Sequence, residues 1–153
     1  MIQIGKDLID KILELYKPEA RVLKSGYISF PLLSGKFVIP PCFYANVPLQ
    51  HATDIEIQLC LNQLAYCGIA EAIRRKSIPE LIKLDFFELQ KEGMFIIESR
   101  KRFRRQIPTQ QEIGGEIKLK EWKRVKNLFL AYSDFQFENR SCVGNLELAV
   151  VLP

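Results

Sequence analysis

The stretch Asp54–Lys76, DIEIQLCLNQLAYCGIAEAIRRK, decides the fold. It has no proline, no glycine before Gly68, and apolar residues nearly all the way round a helical projection. A helix of that kind either spans a membrane or lies buried inside its own domain. Glu56, Gln58, Asn62 and Gln63 break the apolar run well short of the roughly 18 residues a span needs. The spacing predicts a core helix over about 54–76 that carries a few polar groups inward. A buried amide or carboxylate without a partner costs on the order of 1–3 kcal/mol. Each of those groups therefore has either a structural partner or a task.

The 153 residues suit one domain, 1–153, with an ample core. A hydrophobic content of 48% and a charged content of 26% are those of an ordinary soluble protein. The net charge of +4 favours anionic partners but is too small to argue for nucleic acid. The N-terminal MIQIGKDLIDKILELY is amphipathic, not a charged start followed by an apolar core, so no signal peptide is expected. Cys42, Cys60, Cys67 and Cys142 show no CxxC spacing, and two of them lie in the central helix. Reduced thiols in a cytoplasm follow, rather than a disulfide framework or a zinc site. A single histidine, His51, excludes a His-rich metal site.

Lys6–Tyr16 places apolar residues at i, i+3, i+4 spacing and predicts a short helix ending before Pro18. Arg21–Phe30 reads as a strand, Ser34-Gly35 as a turn, and Lys36–Ile39 as the second arm of a hairpin. Pro40-Pro41 interrupts that arm, and Cys42–Val47 is expected to resume extended. Thr53 or Asp54 is a good N-cap for the central helix, and Arg74, Arg75 and Lys76 suit its C-terminal carbonyls. Pro79 opens a short turn. From Asp85 the period becomes two, and strands are predicted over Phe86–Leu89, Met94–Arg105, Glu112–Lys126, Leu128–Phe137 and Ser141–Leu152. One apolar helix followed by long antiparallel strands is an α+β order. A curved antiparallel sheet wrapped around that helix, the hotdog arrangement, explains why the helix lacks a polar face. A partner subunit or the short helices would cover what the sheet leaves open.

Gln58, Asn62 and Tyr66 fall at i, i+4, i+8 on one side of the helix, with Glu56 and Gln63 on another. Unpaired amides and the positive dipole end near the helix N-terminus can polarise a carbonyl. Asn62 could donate an N–H to such a carbonyl or hold a water. The plainer alternative is that Asn62 and Gln63 only bond strand backbone. His51 with Glu56 could form an acid–base pair, or His51 could simply be a cap residue. Tyr44 and Tyr16 could bring hydroxyls to the same pocket, or be core phenols with one hydrogen bond each. Arg100–Arg105 is the densest basic run, reading as a solvated strand face or as a contact for phosphates through Arg102 and Arg104. Phe103 alone interleaves it, which argues against a stacking platform for nucleic acid.

Glu56–Tyr66, EIQLCLNQLAY, resembles the E-x-x-L-C-x-N-Q-L-A-Y run on the central helix of the FcoT-type family of hotdog long-chain fatty acyl-CoA thioesterases. The likeness extends to a helix ending in Tyr16, His51 before the central helix, a Ser99…Arg102-Phe103-Arg104 strand followed by Pro108, and Glu147-Leu148-Ala149 near the end. It implies a small cytoplasmic enzyme of lipid metabolism, dimeric or higher, acting on acyl-CoA or acyl-carrier-protein thioesters. Coenzyme A or phosphopantetheine would arrive as part of the substrate, with no cofactor or metal of its own. The residues proposed to act in the family match Tyr16, Tyr44 and Asn62, with Tyr44 aligning only if one residue is inserted before His51. His51 is an auxiliary proton handler on this reading, and Thr53, Glu56, Gln63, Tyr66, Arg102 and Arg104 contact substrate. The chain departs from the family at Thr53, where the family has asparagine; a hydrogen-bonding group is kept and the amide is lost. Some members resemble lyases that add glycine to an enoyl thioester on a carrier protein. Hydrolysis, conjugate addition and acyl-thioester binding without turnover are therefore the outcomes to separate. Hotdog dehydratases place a glutamate near the position of Asn62, and its absence argues against dehydration.

Overall fold

A computed structural model describes residues 1–42 and 44–153. Its centre is a helix, α2, over Asp54–Arg74, preceded by α1 over Lys6–Leu13 and followed by α3 over Phe86–Glu92. Seven strands form one antiparallel sheet: β1 Ile2–Gln3, β2 Leu23–Ser29, β3 Leu32–Val38, β4 Met94–Phe103, β5 Glu112–Val125, β6 Leu128–Phe137 and β7 Cys142–Val151. They lie in the order β1-β2-β3-β5-β6-β7-β4. Irregular register in β2, β4 and β5 marks bulges, which bend strands and increase local twist.

The helix begins where the sequence predicts. The Thr53 side chain accepts from Ile55 N, and Glu56 reaches back to Thr53 N at 2.8 Å, a reciprocal cap. Ile57, Cys60, Leu61, Leu64 and Cys67 are fully buried in the core. At the other end Arg74 and Arg75 both grip Glu71, whose side chain is fully buried. Those cations do more than sit by the carbonyls: they neutralise an acid inside the core, and the Arg74 hydrogen bond holds its pKa below the ordinary carboxylate value.

The structure corrects four expectations. Phe86–Leu89 is helical: Asp85 caps it through Phe87 N and Glu88 N, and Phe86 and Gln90, four apart, are its buried residues. Gln90 donates to Ile12 O at the end of α1, so α3 is fastened to another helix. Ser34-Gly35 lies within β3, and the hairpin turns at Phe30-Pro31. Gly35 is small because a Cβ there would meet the Phe37 ring at 2.8 Å and Leu23 at 3.0 Å. Residues 44–47 form bends, not a strand, and Phe43 lies outside the described residues. Finally, α1 stops at Leu13, which leaves Tyr16 in the turn beyond it.

Candidate functional site

The polar residues of α2 separate onto two sides of the helix. At 100° per residue, Asp54, Gln58, Asn62, Ala65, Ile69 and Ala72 run along one stripe, while Glu56 and Gln63 point roughly the opposite way.

On the second side, Gln63 is fully buried and wholly committed to main chain. Its Oε1 accepts from Val22 N at 3.0 Å and Leu23 N at 3.1 Å, and its Nε2 donates to Ala20 O at 2.7 Å. Gln63 is a latch for the start of β2, and its expected place among substrate contacts is corrected on that ground. Glu56 lies on the same side, 5% exposed. Its carboxylate accepts from Thr53 N, Thr53 Oγ1 and the Tyr44 hydroxyl. Burial pushes its pKa up, but those three donors together hold it below the ordinary 4.5. Desolvation, then the bond to Glu56, raises the Tyr44 phenol. Tyr44, Thr53 and Glu56 thus form one cluster, with Tyr44 the exposed member.

On the first side the amides are held by side chains. Gln58 Nε2 donates to Asn62 Oδ1 at 2.9 Å. Gln58 Oε1 accepts from Ser99 Oγ at 2.9 Å and from Lys101 Nζ at 2.5 Å. Lys101 also donates to Ser99 Oγ and pairs with Asp54 at 3.0 Å, and its side chain is only 7% exposed. Asn62 is half-buried, and its Nδ2 has no hydrogen-bond partner among the described residues.

Two recesses are lined by residues of the same stripe, one before the amide pair and one after it. A cleft of about 480 Å³ at the head of α2 is lined by His51, Thr53, Asp54, Phe103, Arg104 and Arg105. Its rim is fixed by pairing of the segment before α2 with the one after β4: His51 bridges Pro108, and Ala52 N donates to Ile107 O. Arg105 is bonded to Asn139 O. Toward the other end of the stripe, a small apolar cavity of about 40 Å³ opens between Ala65, Ile69 and Ala72 and the sheet residues Leu33, Ile117 and Leu148. The stripe therefore runs from a cationic mouth, past two amides, to an apolar recess.

The remaining candidates are placed as follows. Tyr16 and Tyr66 are half-buried near each other and near Cys67; burial first, then Tyr66 and Cys67, raise the Tyr16 phenol, and burial raises that of Tyr66. Tyr66 packs edge-on against Phe86 at 6.4 Å. Arg102 is exposed, between the half-buried Lys101 and the cleft residue Phe103, and makes no side-chain bond among the described residues. The alternation of β4 turns Ser99 and Lys101 toward the helix and Arg100 and Arg102 away. All four cysteines are buried free thiols, with Cys67 pushed up to about 12 and Cys142 to about 11 by burial. Sequence reasoning placed Gln58 on the same side as Asn62 without giving it a role, and did not single out Lys101 from the basic run. The readable signal was a lysine two residues from Ser99 on the inward side of a strand, and a glutamine one helical turn before Asn62.

A central helix embraced by a seven-stranded antiparallel sheet is the hotdog fold. The chain belongs to the FcoT-like thioesterase domain family, whose profile matches residues 11–150. It is 35% identical over 112 residues to a (2E)-enoyl-[ACP] glycyltransferase of Mycobacterium marinum, an alignment covering 68% of this chain and 60% of that protein. In fold it is similar to a mutant thioesterase from Pseudomonas aeruginosa, with TM-score 0.62, 10% identity and coverage of 96% and 94% of the two chains. A thioesterase from Haemophilus influenzae gives TM-score 0.54 and 12% identity over 99% and 96%. No helix among the described residues is long and apolar enough to cross a membrane.

Proposed function

We propose that this chain hydrolyses fatty acyl thioesters laid along the Asp54–Ala72 stripe of α2. The observation that carries this is the Asn62 carboxamide, its Oδ1 held by Gln58 and its Nδ2 without a partner among the described residues, on a stripe between a cationic cleft and an apolar recess. Arg104 and Arg105 take the phosphates of coenzyme A or phosphopantetheine, Asn62 donates to the thioester carbonyl, and the start of the acyl chain enters beside Ala65 and Ala72. His51 stands at the cleft as proton handler. Tyr16 and Tyr66 stand outside the linings of both recesses.

Tyr44 is held by Thr53 at the cleft and by Glu56 on the other side of the helix. Among the described residues β4 ends the sheet with an unpaired edge, and it exposes Phe95 and Ile97. A homodimer through that edge would cover it. Buried free thiols suit a reducing cytoplasm.

Steady-state hydrolysis across acyl-CoA lengths tests the reading. Activity that rises with chain length and falls on Asn62→Ala supports it; equal slow hydrolysis by both proteins removes it. The glycyltransferase likeness favours a second reading, addition of glycine to an enoyl thioester at the same carbonyl site. Mass spectrometry of an enoyl thioester incubated with excess glycine separates the two, since only addition gives an adduct.

A further inference from the structure

Lys101 is the least expected residue around α2. A cation buried to this degree costs several kcal/mol unless its donors are all used. Here three oxygens surround the ammonium: Gln58 Oε1, Ser99 Oγ and Asp54 Oδ1. An ammonium can only donate, so the Gln58 atom it faces must be the carbonyl oxygen. The Ser99 hydroxyl accepts from Lys101 and donates its own O–H to that same oxygen. With Oε1 fixed, Gln58 must turn its NH₂ toward Asn62, and the Asn62 atom that receives it must be Oδ1. The Asn62 NH₂ is then the group left to face outward.

We infer that Lys101 and Gln58 are positioning residues that set the polarity of Asn62, making its carboxamide present N–H donors, and not its oxygen, to the reacting carbonyl. This rests on the proposed carbonyl-binding role of Asn62. An asparagine free to turn over would present its oxygen part of the time and repel the carbonyl it should polarise. The one-directional donor at the back of the chain removes that freedom. Thioester recognition at this site is thereby tied to a lysine on β4 that never touches the substrate.

Gln58→Glu provides the test, because it keeps shape and reverses one end. A carboxylate still accepts from Ser99 and Lys101, but its second oxygen has no proton for Asn62 Oδ1. Asn62 must then turn over, donate to the new carboxylate and show its oxygen outward. In proton–nitrogen correlation spectra, the Asn62 NH₂ should exchange rapidly with water in the wild type and be protected in Gln58→Glu. Hydrolysis of a long-chain acyl-CoA should fall by about 10²-fold in kcat/KM, as for loss of an oxyanion donor. Lys101→Met, which lets both orientations coexist, should lose on the order of tenfold. Neither change should lower kcat/KM further in an Asn62→Ala background. Unaltered Asn62 exchange in Gln58→Glu overturns the inference, and so do equal losses with and without Asn62, which would make Lys101 only a brace for β4. If Asn62→Ala itself leaves turnover intact, the functional reading fails, while the exchange measurement still decides the orientation.

Discussion

Asn62 and Gln63 are consecutive residues with the same functional group, and α2 turns them to opposite fates. Gln63 spends both ends on the backbone of residues 20–23. Asn62 is held at one end by another side chain, with its NH₂ unpartnered among the described residues. An amide saturated by main chain is part of the fold, because nothing can replace its partners without moving a strand. An amide buttressed by side chains is part of a site, because its free end can trade water for a ligand. The same contrast separates the two glutamates of the helix: Glu71 is sealed by two arginines, whereas Glu56 holds an exposed phenol.

The comparison breaks most visibly at Gln63. Gln63→Ala strips Val22 N and Leu23 N of their acceptor and should cost about 3 kcal/mol. Thermal denaturation should show Tm lower by roughly 6–12 °C, with kcat/KM of the folded protein changed little. Asn62→Ala should do the reverse, lowering kcat/KM by about 10²-fold while Tm stays nearly unchanged. A large Tm loss at Asn62 together with unchanged turnover would erase the distinction.

The Glu56 cluster sharpens the contrast through pH. With its folded pKa held below 4.5, Glu56 contributes its full stabilisation above the ordinary carboxylate range and loses it as pH falls through the depressed value. Tyr44, raised above 10, keeps its O–H bond at neutrality and loses it only as pH rises through the raised value. Tm measured from pH 3 to 8 should therefore decline on the acid side, and Glu56→Gln should flatten that decline at a cost of about 1 kcal/mol near neutrality. A decline of the same depth in Glu56→Gln would assign the acid sensitivity elsewhere. The smallest effect is expected at the apolar end of the stripe. Ala65→Leu fills the recess and should cost every acyl chain longer than acetyl about fourfold in kcat/KM per methylene excluded, leaving acetyl-CoA untouched. Unchanged kcat/KM on the longer chains would place the chain outside this recess.

Much of this is legible in the sequence. The central helix, its Thr53 cap and the four long strands follow from periodicity and capping chemistry alone. Phe86–Glu92 misleads because Phe86-Phe87 has strand-like composition, and the decisive evidence, Asp85 as a cap, is one short polar residue. Ser34-Gly35 looks like a turn because glycine there answers a need that only packing shows, room for the Phe37 ring. Helical spacing does place Asn62 and Gln63 on different sides, yet the sequence does not say which side faces strand backbone. Nor does it single out Lys101 in a run of six residues of which five are basic: that depends on which way β4 turns its alternate side chains.

The central claim concerns where a thioester carbonyl sits, and a crystal structure with a long-chain acyl-CoA analogue bearing an uncleavable ketone in place of the thioester tests it most directly. The account predicts the ketone oxygen about 3 Å from Asn62 Nδ2, the phosphates near Arg104 and Arg105, and the first methylenes beside Ala65. A carbonyl lodged away from Asn62, with the Gln58–Asn62 pair untouched by ligand, would contradict it.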